Sequence, residues 1–102
     1  MRKALTLQTI VQQAGNQVSS DLDGERVLFE LGAGAYYGLP GSGTAIWEWL
    51  EEPRPVAELR DALLARYDVE PERCEHELLA FLEELRDADL IEVREAGPAP
   101  RA

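Results

Sequence analysis

Apolar positions along the chain follow two periods, and the change between them divides the sequence. Val18, Ser20 and Leu22 fall on one side of a short extended segment, and Asp23-Gly24 then supplies a tight turn. Arg26 to Leu31 resumes the alternation, with Val27, Phe29 and Leu31 on one face and Leu28 on the other. Gly32-Ala33-Gly34 offers a second turn, and Ala35-Tyr36-Tyr37-Gly38-Leu39 reads as a third strand. Leu5, Leu7, Thr9 and Val11 also alternate, which suits either an extra strand or an ordered tail ahead of this meander.

Pro40-Gly41-Ser42-Gly43 ends the alternation, and helical spacing follows. Ser42 or Thr44 is positioned to cap a helix running through Leu50, with Ile46, Trp47 and Leu50 inward. Trp47 and Trp49 cannot both face inward, and Trp47 is assigned to the core. Val56, Leu59, Leu63, Leu64 and Tyr67 predict a second helix. Pro71 opens a third at the position where a missing N–H costs nothing, with a core stripe of Cys74, Leu78, Phe81, Leu82 and Leu85. Leu90, Ile91 and Val93 form a terminal apolar hook, and Gly97-Pro98-Ala99-Pro100 a frayed tail. The expected class is α+β: a three-stranded antiparallel sheet followed by three helices, as in a winged helix-turn-helix. The expected division is a tail or extra strand over 1–16, a folded domain over 17–93 and a flexible tail over 94–102.

Composition narrows the function. The chain has 102 residues, 45% of them hydrophobic, and a formal net charge of −10. Residues 70–89 carry eight acids against two bases, a net of −6. Such a surface repels a phosphate backbone, so nucleic acid is not an expected partner, and Arg73 and Arg86 make a poor recognition helix. No run of about 18 apolar residues exists to span a membrane. Met1-Arg2-Lys3 is basic, but polar residues interrupt Ala4 to Gln13, so no signal peptide is expected. With a single thiol, a reducing cytoplasm is the expected location.

Catalysis finds little support. Cys74 and His76, the one cysteine and the one histidine, are two positions apart on a helix and diverge by about 200°. Glu72 and His76 have an i, i+4 spacing but lack a third metal ligand nearby. Gly32-Ala33-Gly34 leads into a strand, unlike a phosphate loop. No enzyme activity, metal or cofactor is expected.

Peptide binding has a clearer physical basis. A short strand flanked by glycine, with Tyr36 and Tyr37 on opposite faces, can accept an extended peptide if it lies at a sheet edge. Alternatively, both tyrosines cover the core. Leu79 and Phe81 widen the apolar arc of the third helix, which fits contact with a groove as well as with the core, or burial in one core.

The run from Leu22 through Leu31, followed by Gly34-Ala35-Tyr36-Tyr37-Gly38-Leu39-Pro40-Gly41-Ser42-Gly43-Thr44-Ala45-Ile46-Trp47-Glu48, resembles PqqD-type proteins. These are precursor-peptide recognition elements, among them the stand-alone leader-binding proteins of lasso-peptide biosynthesis. Val56-Ala57-Glu58-Leu59, Tyr67-Asp68-Val69, Phe81-Leu82-Glu83-Glu84-Leu85 and Ala88-Asp89-Leu90-Ile91 follow in the family's order, so the resemblance covers about residues 17–92. Pro40-Gly41 departs from it, where the family usually has Asn. The resemblance implies a non-catalytic winged helix-turn-helix that binds a precursor's leader peptide as an antiparallel strand. The leader would pair with Ala35, Tyr36, Tyr37, Gly38 and Leu39 and lie against a helix from Pro71 to Asp89.

Pockets for a Tyr-x-x-Pro leader motif would be lined by Phe29, Leu31, Tyr37, Leu78, Leu82 and Leu85, with Leu79 beside them. Glu75, Glu77 or Asp87 would meet basic leader side chains. The implied partners are the precursor leader peptide, a separate cysteine-protease leader peptidase and an ATP-dependent cyclase. A peptide chaperone for a radical-SAM enzyme, a winged-helix regulator and a structural or dimerising module are the alternatives.

Overall fold

Residues 4–94, other than 24, 33 and 40, are described by the computed structural model. The elements in chain order are β1 (Ile10–Gln13), β2 (Gln17–Leu22), β3 (Glu25–Glu30), β4 (Ala35–Gly38), α1 (Gly41–Trp49), β5 (Arg54–Pro55), α2 (Val56–Arg66), α3 (Pro71–Asp87) and β6 (Ile91–Arg94). The α+β class is as expected, with the meander and three helices in the expected order. A second sheet adds to it.

The strands β2, β3 and β4 form an antiparallel meander in that order, with β3 central. Leu22 pairs with Glu25 across a tight turn in which Asp23 adopts φ 52°. Asp is one of the few non-glycine types that tolerate this left-handed region. The parts of the expected turns at Gly24, Ala33 and Pro40 lie outside the described residues, as does the tail from 95 onward.

Two rows of side chains cross the meander. Ser19, Leu28 and Tyr37 are in register on one face, and Val18, Phe29 and Tyr36 on the other. Leu28 is fully buried, so its row faces the helices. The second row faces outward, and the Phe29 and Tyr36 rings lie 4.8 Å apart, centroid to centroid.

Glu30 is the unusual member of the inner face. Only 4% exposed, its carboxylate accepts hydrogen bonds from Asn16 Nδ2 and, at 3.0 Å, from the Gly32 N–H. Gly32 permits this fold-back, because a Cβ there would come within 2.9 Å of Glu30 Oε2. A buried carboxylate thus ties the β1–β2 turn to the β3–β4 turn.

The second sheet has the order β5-β1-β6, antiparallel throughout. The expected early strand is displaced: it forms at Ile10–Gln13 rather than Leu5 to Val11. Thr6 and Thr9 explain the shift. The Thr6 N–H donates to Thr9 Oγ1 at 3.0 Å, and the Thr9 N–H to the Thr6 carbonyl at 3.1 Å, closing a turn that competes with extended backbone. Leu5, Thr9, Val11 and Ala14 are nevertheless buried, so this segment contributes side chains to the core. The apolar hook proves to be β6, reaching Arg94 and pairing Val93 with Val11.

The helix ends are satisfied by backbone. Val56 and Ala57, at the start of α2, donate to the carbonyls of Thr9 and Leu7, both at 2.9 Å, replacing a side-chain cap. Helix α1 begins at Gly41, ahead of Ser42 and Thr44, so neither caps it. Past α3, Asp89 adopts φ 59°, with its N–H bonded to the Arg86 carbonyl and that of Leu90 to the Leu85 carbonyl. This is a Schellman motif with Asp in the glycine position, and the paired Leu85 and Leu90 are fully buried.

Two stability predictions follow from these ends and turns. Asp89→Gly relieves the left-handed strain and should raise stability by about 0.5–1 kcal/mol, read as a higher melting temperature. Glu30→Ala leaves the Asn16 amide and Gly32 N–H without their acceptor and should cost about 2–3 kcal/mol in urea unfolding.

Candidate functional site

The sheet edge carrying β4 is open. Among the described strands, β4 pairs with β3 alone. The Leu39 N–H bonds to the Arg26 carbonyl, so antiparallel alternation points the backbone groups of Tyr37 and Ala35 toward β3. Those of Tyr36 and Gly38 point to the open edge. Gly38 has nothing within 4 Å of the place a Cβ would occupy, so the sheet face there is sterically clear.

Helix α3 lies under this edge. The Tyr37 hydroxyl donates a 2.6 Å hydrogen bond to Glu84 Oε1 on α3. Burial, then that bond, push the phenol's pKa well above its ordinary range, so the hydroxyl remains a donor. Phe81, half-buried, and Glu77 continue the same flank of α3 one and two turns back. They lead into a cleft of ≈ 320 Å³ beyond the end of β4, walled by Ser42, Gly43 and Ile46 of α1, Tyr67 and Val69 after α2, and Cys74 of α3. Tyr67 and Val69 are exposed at its rim, 39% and 44% respectively.

The structure divides the residues predicted from sequence. Ala35, Tyr36, Tyr37 and Gly38 form the open strand, with Leu39 buried just after it. Phe29, Leu31 and Tyr36 lie on or beside the outer face, away from α3, because the strand period separates them from Leu28 and Tyr37. Leu78, Leu82 and Leu85 are at most 2% exposed and lie in the core, and of the three Leu78 also reaches the cleft wall. Glu75 accepts from Arg60 at 3.3 Å and so faces α2, and Leu79 shares that flank, about 200° around the helix from Phe81. Sequence reading missed Glu84, Tyr67 and Val69 as parts of this site, and it left Phe81 open between the core stripe and a groove. Their only signal was position on a flank that pairing of distant elements selects.

No acid–base constellation appears here. The Cys74 thiol is buried, and its pKa is raised by burial, then by the nearby Glu77. Among the described residues, no three His, Cys, Asp or Glu side chains converge as a metal site.

The profile of the family described as Coenzyme PQQ synthesis protein D (PqqD) matches residues 25–91. The chain belongs to the PqqD family. Its span covers β3 through the start of β6, and therefore the open strand, the cleft and α3. Among solved structures it is similar to TbiB1 in complex with the TbiA(beta) leader peptide, at 36% identity and a TM-score of 0.72, covering 87% of this chain and 99% of that one. A lasso peptide synthetase B1 complexed with its leader peptide shares the fold at 20% identity and a TM-score of 0.71, covering 80% and 96%. No curated protein matches the sequence at a significant level.

Three measurements check this placement in a PqqD-family fold. Leu82→Glu should abolish cooperative thermal unfolding, since an unpaired carboxylate in the core costs several kcal/mol. Cys74 should react with a maleimide at pH 8 far more slowly in the native protein than in urea. The raised thiol and phenol pKa values favour the folded state only while both groups are protonated in the unfolded chain. Stability should therefore fall as pH rises past their ordinary values, about 8.5–10.

Proposed function

We propose that the protein binds the leader segment of a ribosomally made lasso-peptide precursor by strand addition to β4. The observation that carries this reading is the open edge of Tyr36 and Gly38 above α3, in a chain 36% identical to TbiB1, which was solved with a leader peptide. A leader pairing antiparallel to β4 begins at the cleft and leaves past Ala35, because β4 itself runs toward α1. The cleft then takes an apolar leader side chain near the leader's upstream end, with Phe81 and Leu78 as floor and Tyr67 and Val69 as rim. Glu77, in the cleft lining, faces a basic side chain on the same path. The protein performs no chemistry itself and acts in the cytoplasm on newly made precursor.

A separate cysteine-protease leader peptidase is the partner that the outer sheet face suits. Val18 and Leu31 are 53% and 56% exposed there, and Tyr36 is 75% exposed beside Phe29. A patch of large apolar side chains on one face marks a protein contact more often than a solvated surface. It adjoins the end of β4 where the leader departs toward its cleavage site. An ATP-dependent cyclase follows in the same sequence of steps. A second reading, a peptide chaperone for a radical-SAM enzyme, uses the same groove with a different precursor; the matching family is named for coenzyme PQQ synthesis.

Titration with fluorescent leader peptides tests the proposal, using the TbiA(beta) leader and a DNA duplex as control. Ordering a disordered leader offsets part of the gain, and a dissociation constant between about 1 µM and 10 nM is expected, with no DNA binding. Gly38→Pro removes one N–H from the open edge where there is room for a ring. It should weaken leader binding more than about tenfold with little change in melting temperature. Unchanged affinity in that variant would overturn strand addition.

A further inference from the structure

Glu84 is one of eight acids between residues 70 and 89, and nothing in its spacing distinguishes it from its neighbours. In the fold it accepts the Tyr37 hydroxyl across 47 residues of sequence. That bond ties the outermost strand of the meander to α3. Tyr37 stands on the inner face in the row of the fully buried Leu28, and its own ring is half-buried. Phe81, one turn before Glu84, continues the surface into the cleft. The phenol thus crosses from the sheet edge to the helix at this point.

We propose that Glu84 is a positioning residue of the leader groove: by holding the Tyr37 hydroxyl, it fixes the open edge of β4 over α3. It also presents the tyrosine ring as the wall on which an inward leader side chain packs. The inference rests on the leader-binding reading. Its physical reason is preorganisation. Strand β4 has four residues and one neighbouring strand, so its edge and side chains have freedom that binding must otherwise remove. With the hydroxyl held, an arriving strand meets a wall already in place. Glu84 itself is exposed, so the bond matters more to the groove than to the core.

A double-mutant cycle tests this, with the TbiA(beta) leader peptide as probe, anisotropy as the binding readout and thermal unfolding alongside. Tyr37→Phe and Glu84→Ala should each weaken binding about tenfold, the worth of one hydrogen bond to a charged acceptor. The double variant should also lose about tenfold, since both changes remove the same bond. Glu84→Gln keeps an acceptor oxygen and should stay within about threefold of the unsubstituted protein, with all melting temperatures within a few degrees.

Independent losses that multiply to about a hundredfold would overturn the proposal, as would Glu84→Gln costing as much as Glu84→Ala. In either case Glu84 acts on the leader through its charge and not through Tyr37. Unchanged affinity with lowered melting temperatures also overturns it, by making the bond a stability feature alone. If the unsubstituted protein binds no leader, the leader-binding reading falls, and the role of Glu84 falls with it.

Discussion

Leu78, Leu82 and Leu85 are buried to 2% exposure or less, and with Cys74 they fix the rotation of α3 about its own axis. Every other property of the helix follows from that rotation. One flank turns toward α2, where Arg60 meets Glu75. The opposite flank turns Phe81, Glu77 and Glu84 toward the cleft and the open strand. The Schellman turn at Asp89 then drops Leu90 into the core and starts β6 against β1. The seam that stabilises the domain thus also decides which side chains face the cleft and the open strand.

The two sheets divide the remaining work. The β5-β1-β6 sheet closes the chain on itself, drawing residues 10–13 and 91–94 together and seating the start of α2 on the carbonyls of Thr9 and Leu7. That frees the meander from closing the fold, so β4 can remain an unpaired edge. Exposed edges invite aggregation unless they are short or flanked by charge, and β4 has four residues with an acidic helix beneath it. Both features counter pairing with another edge.

The charge of −10 has a location and a direction in the fold. Acids on α3 divide between the α2 flank, where Glu75 is already engaged, and the groove flank, where Glu77 and Glu84 stand. An acidic total identified no partner. Its distribution about one helix separates an acid engaged with α2 from acids on the flank facing the cleft and β4.

Much of this was legible in the sequence, because strand alternation and helix spacing are local properties. The meander, the order of the helices, Trp47 in the core and Pro71 at the head of α3 all follow from neighbours within a few positions. The ordered motif from Leu22 to Glu48 added the family. The first strand was misplaced because Thr6 and Thr9 close a local turn that alternation does not reveal. β5 and β6 were not foreseen because strands this short exist only through pairing with β1, which is distant from both in sequence.

The site divides in the same way. Sequence alone determined that β4 would be short, aromatic and flanked by glycine, and that α3 would carry a wide apolar arc. It could not say which part of the arc is core, because Leu82 and Phe81 are equally apolar and adjacent. Only tertiary structure decided that Leu82 is enclosed, that Phe81 opens on the cleft, and that Tyr37 reaches Glu84 while Tyr36 faces outward. Periodicity defines faces relative to one another. Which face meets which is set by packing between elements distant in sequence.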